Sequence, residues 1–167
     1  MLLLKSAGMS WFDAVCHAMA AISLGGLSTH TSNVAYFDSP AIEGILILFM
    51  LLGATNFATH YLAISRRSLL AYWRDGELRA MLAVLLAAAL GLSGYLEWQG
   101  TYPDYLTALR HVAFNLVSIG TACGFATQDF GSWPIFCAAA DAAVVLLYLL
   151  RGLGGRRHQD VPRAHPD

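Results

Sequence analysis

A seven-residue pattern of this chain returns 98 positions later without a gap: Ser23-Leu24-Gly25-Gly26-Leu27-Ser28-Thr29 aligns with Thr121-Ala122-Cys123-Gly124-Phe125-Ala126-Thr127. Each copy reads hydroxyl, two small or apolar residues, glycine, large apolar, small, threonine. Each follows an apolar stretch, 11–22 or 104–119, that is too short to cross a bilayer. At 1.5 Å per residue, roughly a dozen residues reach only about halfway through the hydrocarbon. A chain that stops there exposes backbone that lipid cannot satisfy, so that backbone must face protein or a water-filled path. A half-helix followed by an irregular loop is therefore expected twice, as a pair of re-entrant elements.

A lipid setting is required by composition. Of 167 residues, 57% are hydrophobic and 13% charged, with a mean hydropathy of +0.54. A soluble domain of this size needs more polar surface. Three further stretches are long enough to span: 40–62, 78–98 and a marginal one at 133–150 that contains Asp141. Ser39 and Pro40 form a helix start, with serine as N-cap and proline at the first helical position. Trp98, Tyr102 and Trp133 sit at one set of ends, as interfacial aromatics do. The expected fold is thus all-α integral membrane, with transmembrane helices plus two re-entrant half-helix and filter loops. Residues 1–62 form one unit, 63–77 a cytoplasmic loop, 78–150 a second unit and 151–167 a polar tail.

Charge placement fits that topology. Arg66, Arg67, Arg74 and Arg79 surround the connection between the first two spans, and Arg151, Arg156, Arg157 and Arg163 follow the third. With two re-entrant loops, both clusters fall on one face, which the positive-inside rule makes cytoplasmic. Asp13, Asp38, Glu43, Glu97, Asp104 and Asp129 fall on the other, either as a cation-concentrating mouth or as a solvated rim. The formal net charge of -1 points to no nucleic-acid partner. Cys16, Cys123 and Cys137 form no CxxC pair, and His17, His30, His60 and His111 form no HxxxH or HExxH pattern, so a structural metal is not expected. The histidines read as interfacial or inter-helix hydrogen-bonding groups. Arg110, in the second half-helix, is expected to pair with a nearby carboxylate such as Asp104.

The loops have a chemistry. A potassium filter replaces the ion's hydration shell with backbone carbonyl oxygens. Aiming successive carbonyls at one axis calls for conformations that a Cβ resists, which favours glycine. The half-helix C-terminus adds partial negative charge. The candidate filter residues are Ser23, Leu24, Gly25 and Gly26 in one loop, and Thr121, Ala122, Cys123 and Gly124 in the other. The same glycines could instead permit close helix packing, and the hydroxyls could bond helix carbonyls.

Several motifs in order resemble Trk/Ktr/HKT-type potassium transporters. Trp11-Phe12-Asp13-Ala14, Cys16-His17, Gly25 to His30 and Tyr36 to Glu43 are similar to the second pore repeat of that family. Phe49 to Gly53, Asn56-Phe57 and His60-Tyr61 continue the likeness. Ala108 to His111, Ser118-Ile119, Gly124 to Thr127 and Trp133-Pro134 are similar to the third repeat. The family folds four repeats around one pore, each giving one filter segment. The resemblance implies that Gly26 and Gly124 are filter glycines, that potassium is the transported ion, and that no cofactor is needed. It also implies a bacterial inner-membrane protein among membrane lipid, a homodimer of full subunits, and a cytosolic nucleotide-binding regulatory subunit as partner.

Two departures accompany it. Cys123 stands where the family more often has threonine. Beyond Phe136 the likeness stops, so residues 137–167 are expected to derive from truncation or a frame shift, and a non-conducting fragment is the alternative to a pore. An intramembrane hydrolase using Ser28 is a further alternative, but Gly26-Leu27-Ser28-Thr29-His30 lacks the glycine two residues after the serine that a nucleophile elbow needs.

Overall fold

The computed structural model describes residues 1–128, and all regular structure there is helical. The expected span 133–150, Asp129, Asp141, Cys137 and the polar tail lie outside the described residues. Seven α-helices follow in order: α1 (Leu2–Ser6), α2 (Trp11–Ile22), α3 (Pro40–Ala54), α4 (Phe57–Ser65), α5 (Leu70–Arg74), α6 (Gly76–Trp98) and α7 (Tyr105–Gly120), with a 3-10 turn at Asn33–Phe37.

Both half-helices are started by side chains. The Ser10 hydroxyl accepts from Asp13 N–H to open α2, and the Asp104 carboxylate accepts from Thr107 N–H to open α7. Asp75 does the same for α6, accepting from the amides of Glu77 and Leu78. Pro40 opens α3, but Ser39 makes no side-chain cap bond there.

Helix α6 is the one described helix long and apolar enough to cross a membrane by itself. Its 23 residues measure about 34 Å. Met81, Leu85, Ala89, Leu92 and Leu96 make its buried stripe, chiefly against α7, while Leu82, Leu86 and Leu90 remain exposed. Apolar residues on both faces suit a helix with protein on one side and lipid on the other. Leu46 and Met50 of α3 and Ala14, Ala20 and Ala21 of α2 complete the core.

The helix expected to run unbroken over 40–62 is broken. Its two parts, α3 and α4, meet at 96°. Thr55 and Asn56 adopt extended backbone, and the Asn56 side chain accepts from Ala58 N–H at 2.9 Å to start a new helix. Thr55 Oγ1 donates to the Leu51 carbonyl at 2.8 Å. The break removes the Asn56 amide that would have bonded the Leu52 carbonyl; Thr55 N–H reaches that carbonyl at 3.2 Å, and His60 adds a second donor. Its Nε2 lies 3.0 Å from Leu52 O, so Nε2 carries the proton and Nδ1 accepts from the Tyr72 hydroxyl at 2.8 Å. Thr59 Oγ1 donates to Asp75 at 2.6 Å, tying α4 to the cap of α6. The connection expected at 63–77 is partly helical as a result.

That joint carries a prediction. His60→Phe should lower stability by about 2 kcal/mol by removing two hydrogen bonds, one to the Leu52 carbonyl and one from Tyr72, whereas Tyr72→Phe should remove only about 1 kcal/mol. Thermal unfolding in detergent checks the order; equal losses would mean that the His60 bond adds nothing to the one Thr55 N–H already gives the carbonyl.

Candidate functional site

The ends of α2 and α7 are superimposable in their hydrogen bonds, position for position at the 98-residue offset. Ser23 N–H donates to Met19 O at 3.0 Å and Thr121 N–H to Val117 O at 2.9 Å. Leu24 N–H reaches Ala21 O at 3.3 Å and Ala122 N–H reaches Ile119 O at 2.9 Å. Gly25 and Cys123 N–H both reach six-residue closures, to Ala20 O and Ser118 O, at 2.8 Å. This is the Schellman closure of a helix, which needs a left-handed residue after the cap. Leu24 (φ 53°) and Ala122 (φ 59°) hold that conformation although each carries a Cβ, at about 1–2 kcal/mol apiece. Two residues on, Gly26 (φ 59°) and Gly124 (φ 97°) are left-handed again.

The two loops touch through backbone. A Cβ added at Gly26 would overlap the Cys123 carbonyl oxygen and come within 2.9 Å of the Gly124 carbonyl carbon. One added at Gly124 would meet only Gly26 Cα, at 4.0 Å. Val34 and Ala35 of the 3-10 turn both donate to Ala126 O, at 3.1 and 3.3 Å, which clips the first unit onto the second loop. Gly53 of α3 lets that helix cross the end of α2, since a Cβ there would sit 2.9 Å from Ile22 O.

Among the eight candidate filter residues, the hydroxyls turn back to the helices. Ser23 Oγ donates to Ala20 O at 3.4 Å, and Thr121 Oγ1 to Val117 O at 2.8 Å. Cys123 is buried, its Sγ 3.9 Å from Ala20 O, while Ser23, Gly25, Ala122 and Gly124 are exposed and Leu24 and Gly26 half-buried.

A buried polar brace behind each loop was missed from sequence. In the first unit, His17 Nδ1 donates to Asp13 O at 2.8 Å, leaving Nε2 to accept from Ser28 Oγ at 3.0 Å. In the second, Asn115 stands at the position of His17; its Nδ2 donates to His111 O at 2.9 Å and its Oδ1 accepts from Thr127 N–H at 3.3 Å. Thr29 Oγ1 donates to Asp13 Oδ1 at 2.6 Å, and at the matching place Thr127 Oγ1 lies 3.4 Å from His111 Nδ1. His17 and Asn115 are fully buried, and the His17 ring stacks on Phe125 with centroids 5.7 Å apart. Extending the offset back from the loops to pairs 13/111 and 17/115 would have found these residues.

The brace gives the Ser28–His17 bond a structural reading beside the hydrolase alternative. A serine bonded to a histidine resembles a nucleophile and its base, yet the second unit fills the same place with asparagine, which cannot act as a base. His17 holds a loop.

Arg110 does not pair with Asp104, which is occupied in capping α7 through Thr107. Its Nε and Nη2 bind both oxygens of Glu43 on α3, each at 2.8 Å, and Nη2 also reaches Asp38 Oδ1 at 2.9 Å. The planar guanidinium matches a carboxylate two-on-two. Glu43 is buried, so this forked pair satisfies a charge that could not otherwise stay there.

A family model for TrkH, described as a cation transport protein, matches residues 4–93. The chain belongs to the TrkH family. It is 40% identical over 130 residues to a Trk system potassium uptake protein TrkH of Salmonella typhimurium, and 38% identical over 150 residues to that of Halomonas elongata. These alignments cover 78% and 90% of this chain, but the chain spans only 27% and 30% of those relatives. The fold is similar to the crystal structure of the potassium transporter TrkH from Vibrio parahaemolyticus, with TM-score 0.75 and 34% identity over 89% of this chain and 31% of that one. The all-helical membrane class expected from the sequence agrees with this TrkH fold, and the relatives are transporters rather than enzymes.

Proposed function

We propose that this TrkH-family chain supplies two of the four filter segments of a potassium-uptake pore. The observation that carries the reading is the repeated closure of α2 and α7, which presents Gly26 and Gly124 in matched left-handed conformations with their backbones in contact. The filter segments are Ser23 to Gly26 and Thr121 to Gly124. Passage needs no covalent step: carbonyl oxygens replace water around the ion, firmly enough to admit it and weakly enough to release it. The carbonyl ends of two half-helices favour a cation at the same place. The setting proposed is the bacterial inner membrane, crossed several times, with dimerisation of full subunits and a cytosolic nucleotide-binding regulator as partners.

Because the chain spans under a third of its relatives, the remaining two segments come from further polypeptide or from a second copy. Rubidium uptake into liposomes holding the chain tests this directly. Flux competed by potassium and not by sodium supports it. No flux from the chain alone, but flux when residues 1–128 replace the matching stretch of the Vibrio parahaemolyticus transporter, would mean wall segments that need their neighbours. A folded chimera without flux rejects the reading.

A further inference from the structure

The turn from α3 into α4 leaves an apolar stripe with no partner. Phe57, Tyr61 and Ile64 fall at helical spacings of four and three, so they share one face of α4, and they are 85%, 72% and 76% exposed. The opposite side of the same helix holds the buried Thr59 and Ala63. Beyond α4, Leu69 and Trp73 are also about three-quarters exposed, at 76% and 74%. Arginines are interleaved with this surface. Arg66, Arg67 and Arg74 are all exposed, and none has an ion pair among the described residues.

Apolar and aromatic side chains beside unpaired arginines, on a helix turned 96° from the one before it, make the pattern of a segment lying in a membrane interface. Rings such as Tyr61 and Trp73 suit the headgroup level. The bonds from His60 to Tyr72 and from Thr59 to Asp75 fix α4 against the α5 segment, so the surface is held in place by the fold. Positive charge without a protein carboxylate calls for an anionic partner, and the adjoining apolar stripe requires that the partner also offer hydrocarbon. A free phosphate has the first property and not the second.

We propose that α4, α5 and their connection form a docking surface for anionic phospholipid, with Arg66, Arg67 and Arg74 holding the headgroups and the α4 stripe set among acyl chains. The proposal is independent of the pore reading, since it uses none of the candidate filter residues.

Trp73 reports on it. In the full chain with Trp11, Trp98 and Trp133 changed to Phe, Trp73 fluorescence is quenched by brominated lipid in vesicles of phosphatidylcholine and phosphatidylglycerol. Brominating the phosphatidylglycerol should quench more than brominating the phosphatidylcholine at equal mole fraction, by an apparent preference of about threefold or more. The preference should vanish in R66Q/R67Q/R74Q. It should also shrink in high salt without those three substitutions, a result that does not depend on whether the triple variant folds. Equal quenching by both lipids would overturn the proposal in favour of a generic lipid-facing surface. Quenching by neither would overturn it in favour of another protein segment covering the stripe.

Discussion

Glu43→Ala should destabilise the chain by about 2–3 kcal/mol, because it removes the forked partner of Arg110 and leaves the guanidinium only the exposed Asp38. Arg110→Ala should cost more, about 3–5 kcal/mol, since Glu43 is only 3% exposed and cannot turn to water. Replacing both residues together, as in Glu43→Leu with Arg110→Met, should recover most of the loss, because the penalty lies in the stranded charge. Asp104→Ala is the control. It removes an N-cap and should cost only about 1 kcal/mol. Thermal unfolding of the four variants in one detergent separates the cases. An Asp104→Ala loss as large as that of Glu43→Ala would mean that Arg110 depends on the carboxylate six positions away in sequence. The pair joins α3 of the first unit to α7 of the second, so the loss is one of docking between units. The loops that follow α2 and α7 are positioned by that docking.

The second large effect is at Gly26. Gly26→Ala should abolish rubidium flux in whichever setting supports it, and should destabilise the chain well beyond the roughly 1–2 kcal/mol of a left-handed alanine. The added methyl overlaps the Cys123 carbonyl oxygen, which is backbone and has no rotamer to move into. Gly124→Ala meets nothing closer than 4.0 Å, so it should show only the conformational cost and keep a measurable flux. That asymmetry is the useful part. Both glycines occupy the same place in the repeat, and by conformation alone Gly124 (φ 97°) would be the costlier alanine site than Gly26 (φ 59°), so a larger loss at Gly26 reports the contact. Equal flux and equal stability in the two variants would show that the loops do not touch as described. The left-handed alanine at Ala122 already shows that this backbone region tolerates a methyl where there is space.

The repeat itself was visible because it is local. Hydroxyl, glycine and threonine recur at one offset, and each follows an apolar stretch of half-membrane length. Those features depend on neighbours in sequence, as do the motifs that place the chain in its family. The polar brace was legible in principle, since Asp13 and His17 match His111 and Asn115 at the same offset. It escaped notice because the paired residues differ in type. Histidine and asparagine share a hydrogen-bonding task here, and side-chain identity does not display that.

The broken helix is a different kind of miss. Across 40–62 the hydropathy is continuous, and Thr55-Asn56 is only two polar residues in a long apolar run. Whether such a pair continues a helix or ends one depends on who receives the released carbonyl. Thr55 N–H and His60 Nε2 meet it here, and His60 is itself held by Tyr72 on another helix.

The sequence by itself determined the helical membrane class, the family and the repeated half-helix with its loop, because apolar length, glycine placement and motif order act over a few neighbouring residues. Only the tertiary structure decided that α3 turns through 96° into α4, that Arg110 binds Glu43 and not Asp104, and that Gly26 lies against Cys123. Each of these is a meeting of groups on different elements. A hydrogen-bonding or charged group takes the partner that packing brings to it, and packing brings together residues far apart in the chain.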